Sequence, residues 1–269
     1  LGYFFGALRR MDVTTLTDVV VYLGGPALVY TALVDAKLDP NEAGLLAAGA
    51  VVLVLGPGLL LAAVVRQPRG LLLPAMFMNA GNMLLPLCLF AFGKAGLARG
   101  TVIFVVVAAL HSTLGVTIAS GRWTLGPMLR LPFIYAVVAA FAVRSGWLVL
   151  PEIAIRIVAL LSQLAIPLML LALGLRLRSV RIDSWRRPLL AGVARMGGGY
   201  LCGLAFVTAF GVAGTSRACL LLAATMPSAV VNFAFAETYR NEPAEVAATV
   251  VLTTLASVVA APLVLALGV

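Results

Sequence analysis

Apolar residues run in long blocks along this chain, and the polar ones gather in the gaps between them. Runs bounded by charge, glycine or proline occupy about 1–8, 17–34, 43–65, 71–93, 101–120, 131–149, 153–175, 188–210, 216–237 and 245–268. Crossing the hydrocarbon core of a bilayer takes about 20 such residues as a helix. The pattern therefore predicts an all-α membrane protein of ten transmembrane helices. The run at 1–8 is too short to span, so the first helix is expected to be truncated and to begin upstream of Leu1.

Two runs depart from the rule. LLLPAMFMNAGNMLLPLCLFAFG at 71–93 and ACLLLAATMPSAVVNFAFAE at 218–237 carry amides and a proline where a quiet span would carry leucine and valine. Pro86 has no N–H and its ring crowds the carbonyl of Asn82; Pro227 does the same to Ala223. Both helices are predicted to break there, near mid-membrane. Backbone groups freed inside hydrocarbon cost several kcal/mol each, so the breaks must face protein, water or a ligand. Asn79, Asn82, Ser228 and Asn232 can supply partners, and these two broken runs are where a substrate site is expected.

Spacing relates the two halves of the chain. Pro26 and Pro167 lie 141 positions apart, as do Pro86 and Pro227, Gly56 and Gly197, and Gly58 and Gly199. The helix pattern shifts with them, which predicts a five-helix repeat at 1–120, a linker at 121–130 (GRWTLGPMLR) and a second five-helix repeat at 131–269. Five is odd, so the second unit enters the membrane from the opposite side and the repeat is inverted. The fourth and ninth helices then run in opposite directions and their breaks cross at one depth.

Composition agrees with a bilayer. Of 269 residues 62% are hydrophobic and 11% charged, and the mean hydropathy is +1.10, far from the globular norm. The expected place is the cell membrane, plasma or inner, crossed many times. A formal charge of +9 fits basic loops between spans better than a nucleic-acid surface, for no basic arm stands clear of the apolar runs. On one side the loops hold 12 basic residues (Arg9, Arg10, Arg66, Arg69, Arg122, Arg130, Arg176, Arg178, Arg181, Arg186, Arg187, Arg240); the other side holds 5 (Lys37, Lys94, Arg99, Arg144, Arg217). The first side is expected to be cytoplasmic and both termini outside. Cys88, Cys202 and Cys219 sit in apolar runs without a metal-ligand spacing, so neither a metal nor a cofactor is expected. LGYFFGAL runs into Arg9 and Arg10 without a cleavage site, so no cleavable leader is read there. VLGPGLL and MGGGYLCGL lack the strand and the Lys-Ser/Thr of a phosphate loop and are read as close-packing positions.

Where two broken helices cross, the half-helices that begin there bring their positive dipole ends, about half a charge each, into one small space. That favours an anion, with asparagine amides as neutral donors. Asn79, Asn82, Ser228 and Asn232 are the expected contacts, with Pro86 and Pro227 holding the geometry. The plain alternative is that the prolines are ordinary kinks and the asparagines bond to nearby backbone.

The runs FMNAGNMLLPL, MPSAVVNFAFAETYRNEP and LSQLAIPLMLLALGLRL resemble the auxin efflux carrier family of membrane transporters, and the likeness covers nearly the whole chain. The resemblance implies the ten-helix fold shared with bile-acid and sodium–proton transporters. It implies a scaffold of residues 1–34 and 131–175 and a moving core of residues 43–120 and 188–268. The core would slide past the scaffold, elevator fashion, carrying small organic anions such as auxin or dicarboxylates. It carries over Asn79, Asn82 and Pro86, with Pro227, Ser228 and Asn232, as substrate-binding positions, and it suggests a homodimer through the scaffold helices. Met83, Leu84 and Leu85 stand where relatives often have glycine, which bears on cargo size.

Few ionisable residues lie within spans. His111 is a candidate proton carrier, or else a neutral histidine bonded to a backbone carbonyl. Arg195 either attracts the anion, snorkels to the cytoplasmic interface or pairs locally. Proton coupling, sodium coupling of the bile-acid type and facilitated diffusion all stay open. An intramembrane enzyme is the remote reading, since no HExxH, membrane aspartate pair or activated serine appears.

Overall fold

The computed structural model describes residues 12–36, 38–66, 69–123, 125–176 and 185–266. The run at 1–8, and Arg9, Arg10, Lys37, Arg178 and Arg181 from the loop-charge comparison, lie outside the described residues. Among the described residues every regular element is helical: α1 (Val13–Val34), α2 (Pro40–Val64), α3 (Arg69–Met76), α4 (Ala80–Ser120), α5 (Pro132–Arg144), α6 (Glu152–Arg176), α7 (Arg186–Ala209), α8 (Gly214–Ala224), α9 (Val231–Thr238) and α10 (Pro243–Ala266). One further turn lies at Gly126–Leu129.

Six of these, α1, α2, α4, α6, α7 and α10, are long and apolar enough to cross a bilayer. The hydropathy pattern predicts more, and the difference has local causes. The polar runs are each divided, leaving α3, α8 and α9 below spanning length. The run at 131–149 forms only the 13 helical residues of α5. The second half of 71–93 and the run at 101–120 join into the 41-residue α4. That stretch is interrupted at Gly93, whose φ of 62° and ψ of −153° suit a residue without Cβ.

Helix starts follow the side chains that precede them. The Asp12 carboxylate accepts from the Thr14 and Thr15 amides at the head of α1, and Asp39 accepts from Glu42 N at the head of α2, with Pro40 in the first turn. The Thr15 hydroxyl, then the two amides, hold the Asp12 carboxyl below its ordinary pKa.

Among the described residues four π-helical turns widen otherwise regular helices, at Val20–Gly24, Ala80–Leu84, His111–Gly115 and Ala194–Gly198. One of them changes the place of the first break. Leu85 N reaches back five residues to Ala80 O, so the wide turn ends just before Pro86 and absorbs the hydrogen bond and the space that its ring would disturb. The helix is thus continuous past Asn82 and Pro86. It is broken instead at Phe77–Asn79, between α3 and α4. The second break spans 225–230, between α8 and α9, and contains Pro227 as predicted.

In packing, α1 lies against α5 and α6, while α2, α3, α4, α7, α8 and α10 pack among themselves. Leu46, Leu53, Leu73, Leu85, Ile103 and Leu220 are fully buried in the core of the second group. A polar clasp ties α2, α4 and α8: Arg99 meets Glu42 at 2.6 Å and donates to Ser216 Oγ at 2.9 Å. Elsewhere in the group Arg187 of α7 meets Glu245 of α10 at 2.9 Å, and Glu242 accepts from Gly70 N at the start of α3.

Candidate functional site

The two breaks meet through their main chains. Met78 and Ser228 form an isolated antiparallel bridge, in which Asn79 N donates to Pro227 O at 2.7 Å and Ala229 N to Phe77 O at 2.9 Å. These bonds replace helical partners that both segments lose at the same place. Side chains complete the joint. Asn232 Nδ2 donates to Phe77 O and to Ser228 Oγ, each at 2.9 Å, and Ser228 N donates to Thr253 Oγ1 of α10 at 3.1 Å. Asn79 Oδ1 accepts from Asn82 N at 3.2 Å and starts α4 as an N-cap.

Asn79 Nδ2 is buried here without a hydrogen-bond partner, while the side chains of His111 and Asn232 lie beside each other and interact. An unsatisfied buried group costs about 1–3 kcal/mol, and native proteins keep few of them. A cavity of about 170 Å³ adjoins the joint, with Asn79, Asn82 and His111 in its wall. The opposite wall is Val20 of α1, Phe133 of α5 and Met169 of α6, so the cavity lies between the two packing groups. The His111 ring stacks on Phe77 at 4.4 Å and 11° and meets Phe235 edge-on at 4.9 Å. The starts of α4 and α9 face this space and supply their positive dipole ends.

Of the residues singled out in the sequence, Asn79, Asn82 and His111 line the cavity. Pro227, Ser228 and Asn232 stand directly behind it and build the joint. Pro86 is buried within α4 away from the cavity wall, and Arg195 lies at the C-terminal ends of α3 and α8.

A profile of the family described as "Membrane transport protein" matches residues 123–265, more than half of the chain. The chain belongs to this membrane transport family. A relative from Methanothermobacter thermautotrophicus, described as "Uncharacterized transporter", is 25% identical over 283 residues, covering 98% of this chain and 92% of its own. The protein is thus a multi-pass membrane transporter, as the resemblance to auxin efflux carriers implies.

In this transporter Arg195 neither snorkels nor reaches the cavity. It is fully buried, and Nη1 donates to Met76 O at 2.8 Å, Leu53 O at 2.9 Å and Ala75 O at 3.3 Å, with Nη2 near Ala224 O at 3.4 Å. Cys88 and Cys219 pack together with sulfurs 3.7 Å apart, both buried and unbridged. A larger cavity of about 1350 Å³ lies between α1, α6 and α4, with Thr31, Asp35, Lys94, Arg99 and Gln163 among its lining. Phe77 and Thr253 belong to the site without having been singled out in the sequence. Thr253 had a signal, a buried Thr-Thr pair inside an apolar run. Phe77 acts through its carbonyl and ring, which no composition rule flags.

Proposed function

We propose that this transporter is a secondary carrier of small organic anions, auxin-like or dicarboxylate weak acids, bound where the two breaks meet. The observation that carries the reading is the unpartnered Asn79 Nδ2 beside the start of α4, in the wall of a cavity shared by the two packing groups. A carboxylate there receives the Asn79 amide, with the dipole ends of α4 and α9 behind it. Asn232 holds the second break in place through Phe77 O and Ser228 Oγ, and the stacked His111 ring gives the cargo a flat wall.

In this reading α1, α5 and α6 (largely within 1–34 and 131–175) are the scaffold, and α2–α4 with α7–α10 (largely within 43–120 and 188–268) are the moving core. The core slides or rocks past the scaffold, elevator fashion, and opens the joint to each side in turn. The Arg99–Glu42–Ser216 clasp lies wholly inside the core and travels with it. The chain is then two inverted five-helix repeats, with its arginine-rich loops cytoplasmic and its termini outside.

The test is a thermal-shift panel of small carboxylates on the detergent-purified protein, followed by proteoliposome uptake of the best hit. Asn82→Ala and Asn232→Ala should lose the shift and the uptake while staying folded. Unchanged affinity in both variants would remove the site from this joint.

A further inference from the structure

Three sources of orphaned carbonyls converge on one point of the core. α3 and α8 both end at the breaks, and the last carbonyls of a helix have no internal partner. In α2 the proline Pro57 has no N–H to offer Leu53 O, four residues earlier. Arg195 gathers all three: Ala75 O and Met76 O from α3, Ala224 O from α8 and Leu53 O from α2. Gly199 makes room, since a Cβ there would stand 2.5 Å from Arg195 Nη2 and 2.6 Å from Ala224 O.

The charges match as well. Each helix C-terminus carries about half a negative charge, so two ends together balance about one guanidinium. A buried cation without such compensation is costly, and among the described residues no carboxylate pairs with Arg195. Unwound carbonyls and half-helix C-termini are also the ligands with which transporters of broken-helix design hold a coupling metal cation.

We infer that Arg195 is the permanent occupant of a cation site: its guanidinium fills the place and supplies the charge that a sodium ion would bring between α3 and α8, and the carrier needs no metal cation. The functional sense of this rests on the transport reading; the cation site itself is testable without any cargo. The site then has two poles. Arg195 neutralises the helix ends behind the joint, and the helix starts in front of it remain free for an anion.

The experiment uses the full chain in detergent, with thermal unfolding followed in sodium, potassium, guanidinium and choline chlorides at matched ionic strength. The wild type should unfold at the same temperature in sodium and in choline. Arg195→Gln keeps amide donors but loses the charge. In choline it should melt about 10 °C lower, and sodium or low guanidinium should restore the loss saturably. Arg195→Lys should keep the wild-type indifference to sodium. A saturable sodium shift in the wild type overturns the inference, as does an Arg195→Gln protein as stable as wild type in choline. Should Arg195→Gln fold in no salt, Arg195→Lys decides: indifference to sodium supports the inference, and a sodium requirement or failure to fold overturns it. None of these readings involves a carboxylate, so their failure leaves the anion site standing, and loss of anion binding in Asn82→Ala says nothing against Arg195.

Discussion

Asn79 divides its two side-chain atoms between two tasks, and substitution can separate them. Oδ1 caps Asn82 N, while Nδ2 has no partner and borders the cavity. Serine caps as well as asparagine, so Asn79→Ser should melt within about 1 kcal/mol of wild type yet lose carboxylate binding, because the amide donor that borders the cavity is gone. Calorimetry and uptake on one preparation check both halves. The glycines of MGGGY separate in the same way. A Cβ at Gly199 meets Arg195 and Ala224, whereas at Gly197 the nearest atom is Val193 Cγ1 at 3.9 Å. Gly199→Ala should cost about 1–3 kcal/mol by overpacking. Gly197→Ala should be neutral or stabilise by up to about 1 kcal/mol through helix propensity. Thermal melts of the pair, side by side, are the measurement.

At the scale of the element, the two prolines that look equivalent in the sequence do different work. Pro227 lies in a break and offers its carbonyl to Asn79, whereas Pro86 follows a π-turn in a stretch of helix that stays unbroken around it. Pro227→Ala should lower uptake by about tenfold, equivalent to about 1.4 kcal/mol, since α8 can then wind onward into the break; Pro86→Ala should transport nearly as wild type. Helical character, the polar joint and its asparagines were legible in the amino-acid pattern, because a span that carries amides must do something with them. The position of the first break was not. The prolines repeat at 141 residues, yet the bridge joins Met78 to Ser228, 150 residues apart, and the matching runs LLLPAMFMNA and LLLAATMPSA are offset by 149. A proline marks where a helix is weakened, but a π-turn can absorb it, and only tertiary pairing decides which weak point opens. The partners of Arg195 were illegible for a related reason: they are main-chain carbonyls, which every residue carries.

For the whole molecule, the division into two packing groups with a cavity between them is what the elevator reading needs. Val20 in α1 and Ala229 in the second break line the same cavity. In a background with Cys88, Cys202 and Cys219 replaced, cross-linking Val20→Cys to Ala229→Cys with a short bifunctional thiol reagent should stop uptake; uptake unaffected by complete cross-linking would rule out relative sliding of the groups. The joint itself is held first by peptide groups, Asn79 to Pro227 and Ala229 to Phe77. Amide exchange at Asn79 and Ala229 should accordingly be among the slowest in the chain. A hinge pin made of peptide groups is indifferent to the side chains threaded on it. Descendants of one ancestral carrier could therefore swap the residues that meet the cargo, and so change diet, without ever having to reinvent the machine.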